Sequence, residues 1–175
     1  MVKLISEQYL KEQKKLHENP NYGSASLNHV NIISKIIDDT GIKTLSDFGA
    51  GKKRLYEGLT KSGHSKQIQY YPYDPVYPEY GDPKLAELVT VIDVMEHIEE
   101  EYLEPVLDQI MQITQRLCYF SITTVPAKKI LSDGRNAHLI QKPARWWLPK
   151  ICQRFDIHFL QTNSTSFIVL CKTIS

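Results

Sequence analysis

Between Lys43 and Leu55 the chain has to leave a strand, turn sharply and enter a helix. Lys43-Thr44-Leu45-Ser46-Asp47-Phe48 reads as a short strand that stops at an acid, breaks into Gly49-Ala50-Gly51 and restarts as a helix at Lys52-Lys53-Arg54-Leu55. Strand, glycine turn and helix is how an open α/β sheet cradles a nucleotide-like ligand, because glycine lets backbone approach the ligand with no Cβ between them. Two glycines in a turn also serve a plain strand–helix crossing, so the runs that follow decide the reading. Gln67 to Tyr73 is closed by Asp74, and Leu88 to Ile92 by Asp93. Three successive strands ending in Asp bring three carboxylates to the carboxyl edge of one sheet, where such folds bind ligands.

A chain of 175 residues with 42% hydrophobic and 23% charged residues fits one globular domain that buries its own core. Its formal net charge of +1 argues against bulk electrostatic attraction to nucleic acid or membrane, while a local basic patch stays open. Cys118, Cys152 and Cys171 are far apart among apolar neighbours, the pattern of buried free thiols in a reducing compartment. No apolar run is long enough to span a bilayer, and the charged start Lys3, Glu7, Lys11, Glu12 is not that of a signal peptide. The expected location is cytoplasmic.

Around this centre the spacing predicts a surface helix from Leu4 to Leu16 and a second from about Ser26 to Thr40, stopped by Gly41. Between them Tyr22-Gly23 is either a connector or a linker lying across the cleft. A helix follows over Lys52 to Thr60. Three prolines, Pro75, Pro78 and Pro83, leave no room for another strand–helix unit before Leu88. A long helix from Glu99 to Gln115 leads to the strand Leu117 to Ile122. Ala127 to Gln141 is an irregular excursion, a helix begins near Pro143, and Asp156 to Gln161 pairs with Thr165 to Cys171 as an antiparallel hairpin. The expected layout is N-terminal helices over the cleft (1–41), a core (42–125), an acceptor-side loop and helix (126–155) and a hairpin (156–175).

With these elements the chain resembles the class I S-adenosylmethionine-dependent methyltransferases over most of its length. Their acid-x-Gly-x-Gly-x-Gly segment fits Asp47-Phe48-Gly49-Ala50-Gly51-Lys52-Lys53 except at the last glycine, here Lys53. Asp74 occupies the place of the acid that binds the ribose hydroxyls, and Asp93-Val94-Met95-Glu96-His97-Ile98 resembles an Asp-x-x-Glu-His segment of many members. The resemblance implies an α/β, Rossmann-like three-layer sandwich. Its sheet is mostly parallel with the terminal antiparallel hairpin, and its third strand is missing or vestigial. It implies S-adenosylmethionine as cofactor and S-adenosylhomocysteine as product. Tyr22, Gly23, Asp47, Gly49, Ala50, Gly51, Asp74, Pro75, Asp93 and Val94 are the residues expected around the cofactor, with Pro75, Val76 or Tyr77 over the adenine.

Glu96, His97 and His138 are the candidates for the chemistry. His97 titrates in the range of a general base, and the alternatives are a packed histidine and a capping glutamate. Asp93, Glu96, His97 and His138 together have the hard oxygen and imidazole character of a divalent-metal site, an arrangement similar to that of small-RNA 2′-O-methyltransferases; no metal is assigned. The loop Asp133-Gly134-Arg135-Asn136-Ala137-His138 concentrates polar chemistry ahead of Trp146-Trp147, in the region that shapes the acceptor site in the family. A small-molecule acceptor is the expected partner and no membrane is expected. Nucleic acid stays open through the basic stretch Lys128, Lys129, Arg135, Lys142, Arg145 and Lys150. A catalytically inactive binder of the cofactor or its product is the non-enzyme alternative.

Overall fold

The computed structural model describes residues 4–174, so the first three residues and the last of the expected domain lie outside it. Six strands form one sheet in the order β2-β1-β3-β4-β6-β5. They are β1 (Thr44–Phe48), β2 (Gln69–Tyr73), β3 (Ala86–Ile92), β4 (Thr114–Thr123), β5 (Phe155–Thr162) and β6 (Ser166–Thr173). The first four run parallel, and β6 and β5 are antiparallel to their neighbours, which is the expected terminal hairpin.

Alternation along the central strands builds the two sides of the sheet. Leu88 and Ile92 of β3 face one core with Leu117 and Tyr119 of β4, while Val89 and Val91 face the other with Cys118 and Phe120. Strands buried on both faces need helices on both faces. The first side is covered by α2 (Val30–Thr40) and α3 (Arg54–Lys61) through Ile33, Ile37, Leu55 and Leu59. The second is covered by α4 (Leu103–Ile113) and α5 (Ala144–Cys152) through Val106, Leu107, Ile110, Trp147 and Ile151. Trp147 is fully buried and its indole N–H donates to the Lys142 carbonyl at 3.0 Å, so the ring enters the core without an unpaired donor.

Local chemistry moves several expected boundaries. The helix after the glycine turn starts at Arg54, because Lys53 stands in the left-handed region at φ 58°. The helix expected over Glu99 to Gln115 is α4 alone, entered through a 3-10 turn at Glu100–Tyr102, and Thr114 to Arg116 already belong to β4. The second helix begins with a 3-10 turn, Ala25–His29, and Gly41 ends α2 at φ 65°. Between β2 and β3 there is only the 3-10 turn Pro78–Tyr80, and among the described residues no strand covers the outer edge of β2. The third strand is missing, as expected from the short proline-rich stretch there. Cys118 and Cys171 are buried, but Cys152 is exposed: it closes α5 on the solvent side, correcting the expectation of three buried thiols.

One element lies outside the three layers. The first helix, α1 (Glu7–Glu18), crosses the carboxyl edge of the sheet and packs Tyr9 against Leu131 and Ala137 of the excursion. Two carboxylates fasten it. Glu99 accepts the Ser6 backbone N–H and hydroxyl at 2.8 and 2.7 Å, and Glu12 accepts the same pair from Ser132 at 2.8 and 2.6 Å. No helix among the described residues is long and apolar enough to cross a membrane.

Candidate active site

A cavity of about 350 Å³ opens at the carboxyl edge of β1, β2 and β3, roofed by α1. All ten residues expected around a cofactor line it: Tyr22, Gly23, Asp47, Gly49, Ala50, Gly51, Asp74, Pro75, Asp93 and Val94. The glycine turn is sewn to the end of β2, since the N–H groups of Gly49 and Ala50 both donate to the Tyr73 carbonyl at 2.8 and 2.9 Å. Gly49 sits at φ 81°, and a Cβ there would lie 2.3 Å from Val94 Cγ2. The turn from β1 and the segment after β3 therefore touch only because this side chain is a hydrogen.

The three aspartates divide into different tasks. Asp47 is buried in the cavity wall and already accepts two hydroxyls, from Tyr70 at 2.5 Å and Thr90 at 2.9 Å. Burial pushes its pKa up to about 6 in spite of these donors. Asp74 accepts the Gly51 N–H on one oxygen and the Val76 N–H on the other, both at 2.9 Å, and burial raises its pKa. Each carboxylate oxygen has a second lone-pair site, so Asp74 both fixes the turn and keeps acceptor capacity. Asp93 adopts a left-handed backbone at φ 53°, which ends β3 and turns Val94 inward; its Oδ1 accepts the Thr123 hydroxyl at 3.2 Å. Tyr22 reaches the cavity from the linker, where burial, followed by the charge of Asp74, moves its phenol up to about 12.

The candidates for chemistry separate as well. His97 and His138 both line the cavity, with ring centroids 4.8 Å apart and planes nearly perpendicular. His97 Nδ1 lies 2.7 Å from the Ala137 carbonyl and His138 Nδ1 2.7 Å from that of Val125. A carbonyl only accepts, so both Nδ1 atoms carry hydrogen. Burial, and then the neighbouring His138, lower the His97 pKa to about 4, below the range expected of it from the sequence, so at neutral pH its Nε2 is an unprotonated acceptor and a weaker base than an ordinary imidazole. Glu96 corrects the expectation. It has no exposed surface and does not line the cavity: Oε1 accepts the Thr123 N–H at 2.7 Å and Oε2 has no partner. Burial and the nearby Asp93 charge raise its pKa to about 8, which favours the protonated form at neutral pH. The four-residue convergence of Asp93, Glu96, His97 and His138 is accordingly not formed. Among the described residues no group of three His, Cys, Asp or Glu side chains is placed to hold a metal ion.

Sequence reasoning overlooked the contribution of α1. His17 at its last turn lies against Gly51, where its Cε1 would be 3.3 Å from a Cβ, and it contacts Tyr22 and Tyr77 edge-on. Burial, then Lys52, lower its pKa to about 4. Tyr9 and Gln13 line the roof beside it. No local pattern distinguishes these positions from a solvent face; only the docking of α1 across the sheet edge brings them in. Pro75 and Val76 line the cavity, whereas Tyr77 and Tyr80 stack on each other outside it, with Tyr80 donating to the Gly51 carbonyl at 3.0 Å. Trp146 and Trp147 do not line it, so neither offers a stacking face there.

Sheet order, terminal hairpin and site position define the class of fold: that of the class I S-adenosylmethionine-dependent methyltransferases. No family model and no curated protein matches the sequence. Among solved structures, the chain is similar to 1,6-didemethyltoxoflavin-N1-methyltransferase of Burkholderia thailandensis, bound to 1,6-didemethyltoxoflavin and S-adenosylhomocysteine. That match has a TM-score of 0.65 at 10% identity and covers 100% of this chain and 93% of the other. The N-methyltransferase NodS of Bradyrhizobium japonicum, in complex with S-adenosylhomocysteine, matches with a TM-score of 0.57 at 10% identity over 97% and 96% of the two chains. Magnesium protoporphyrin IX methyltransferase of Synechocystis, with the same product bound, has a TM-score of 0.57 at 13% identity over 85% and 83%.

Proposed function

We propose that the protein is an S-adenosylmethionine-dependent methyltransferase acting on a small-molecule acceptor. The observation that carries this is the meeting of the Gly49 turn, too tight for a Cβ, with the buried Asp74 carboxylate in the lining of a cavity of about 350 Å³. The residues fit the cofactor: Asp74 has lone pairs left for a ribose diol, and Gly49 to Gly51 offer close backbone. Pro75 and Val76 offer an apolar face for adenine, and Asp93 offers a carboxylate toward the methionine end. When bound, S-adenosylmethionine supplies an electrophilic methyl group on a sulfonium.

The chain's own contribution is mainly positioning, with α1 roofing the cavity against water. His97 Nε2 holds a lone pair where an acceptor proton can be received, and Ala137 fixes the ring orientation through Nδ1. Asp47 in the cavity wall and Glu96 behind it serve as supports for the turn and for the segment after β3. The small-molecule reading is favoured over nucleic acid by the roofed cavity and by tryptophans that face elsewhere.

The test is calorimetric titration of S-adenosylmethionine and S-adenosylhomocysteine into the wild type and Asp74→Ala, with circular dichroism to establish that both are folded. Loss of one charge-assisted hydrogen bond, about 1.5 kcal/mol or more, predicts an affinity at least ~10-fold weaker in the variant. A folded wild type that binds neither ligand refutes the proposal.

A further inference from the structure

The cavity extends well past the cofactor residues. α1 lies along it, with His17 over the glycine turn at one end and Ser6 fastened to Glu99 at the other. At a helical rise of about 1.5 Å per residue, that span is roughly 16 Å. The far half has apolar walls in Leu4, Ile5, Ile98 and Val106, and the two imidazoles His97 and His138 stand at its inner boundary. Lys128 and Lys129, both exposed, also line the cavity.

Among the described residues Lys128 and Lys129 are the cationic side chains that line the cavity; Lys142 and Arg145 also lack a carboxylate partner but stand outside it. Arg135 is paired with Asp133, Lys15 with Glu12, Lys150 with Glu104, and Arg154 with Glu104 and Asp108. Lys128 and Lys129 line the cavity and have no carboxylate partner among the described residues. Their backbone is nonetheless held in place. Asn136 receives the Ala127 N–H and donates to the Ala127 carbonyl, both at 2.9 Å, and the Ala137 N–H donates to the Lys129 carbonyl at 3.0 Å. Ile130 and Asn136 form a bridge, so the arm carrying the lysines is a short hydrogen-bonded hairpin. The one carboxylate at this end, Glu99, is occupied by the Ser6 N–H and hydroxyl. An apolar chamber lined also by two exposed cations without carboxylate partners and by two imidazoles complements a molecule with an apolar body and an anionic group.

We infer that the acceptor is a small amphiphilic organic anion. Its apolar body lies between Leu4, Ile5, Ile98 and Val106, and its carboxylate or comparable anionic group is met by Lys128 and Lys129. This rests on the proposed methyltransferase reading, because the far half of the cavity is an acceptor site only if the near half holds the cofactor.

The test uses the full chain saturated with S-adenosylhomocysteine, titrated calorimetrically with benzoate, 3-phenylpropionate and 5-phenylpentanoate and with the matching neutral amides. At least one carboxylate is expected to bind, and to do so several-fold more tightly than its amide. Its affinity is expected to fall as salt is raised, since the lysines are exposed. Lys128→Glu combined with Lys129→Glu should weaken the carboxylate about 5-fold or more, as reversal of two exposed charges requires, while S-adenosylhomocysteine affinity stays as in the wild type. Failure of S-adenosylhomocysteine itself to bind would strike the methyltransferase reading. Normal S-adenosylhomocysteine binding with no carboxylate bound, with amides bound equally well, or with a double variant that binds carboxylates as tightly as the wild type, overturns the inference alone.

Discussion

Gly49→Ala probes the geometry on which the site depends. Two separable costs arise there. An L-residue held in the left-handed region costs about 1–2 kcal/mol. A Cβ placed 2.3 Å from Val94 Cγ2 and 3.2 Å from Cγ1 must push a stiff β-branched side chain or move the turn, and overpacking of this kind costs about 1–3 kcal/mol. The expected destabilisation is about 2–5 kcal/mol, a large part of a typical domain's ~5–15 kcal/mol. Gly41→Ala isolates the first cost, because Gly41 has φ +65° with nothing within 4 Å of its Cβ position, and should lose only about 1–2 kcal/mol. Val94→Ala removes both offending γ carbons, so in the double variant Gly49→Ala should cost about 1–3 kcal/mol less than it does alone. Urea unfolding followed by circular dichroism measures the wild type and all four variants. If Gly49→Ala is no worse than Gly41→Ala, or is additive with Val94→Ala, the close crossing of the turn and the segment after β3 is not what makes glycine necessary.

Two further outcomes follow from the structure. Glu96, raised from 4.5 to about 8, keeps its proton in the folded state over a range where the unfolded chain has lost it. Stability contributed through this group must therefore fall as pH rises from about 4.5 to about 8. Glu96→Gln removes that dependence while preserving shape. The wild type should thus lose stability relative to the variant between pH 5 and pH 8, and parallel profiles in urea unfolding would show that Glu96 is ionised in the fold. Glu12→Ala deletes the acceptor for both Ser132 donors, so amide hydrogen exchange across Glu7–Glu18 should quicken while β4 stays protected; unaltered exchange in α1 would mean that Tyr9 packing alone holds the roof.

What the sequence determined by itself was the sheet edge. Strand, acid and glycine are neighbours in the chain, so local conformational preference places Asp47, Asp74 and Asp93 at strand ends before any packing is known. The prolines between Asp74 and Leu88, each removing a backbone donor and fixing φ, leave no room for another strand–helix unit for the same local reason. The two tail strands are joined by a short turn, which makes the hairpin legible too.

Tertiary structure decided which polar groups face the cavity. Glu96 and His97 are adjacent in sequence, yet one is sealed against Thr123 and the other lines the cavity, because the 3-10 turn after Asp93 points successive side chains in different directions. His17 and His138 are 121 positions apart in numbering and enter the same cavity only through the docking of α1 and the excursion on the sheet edge. Lys53 shows both levels at once: its residue type departs from glycine, but the φ of 58° there belongs to the fold, set by a turn whose amides are tied to Tyr73 and whose third position must reverse the chain into α3. Strand ends are dictated by neighbours along the chain. The orientation of a side chain toward ligand or core depends on contacts between residues distant in sequence, and those exist only once the layers have packed.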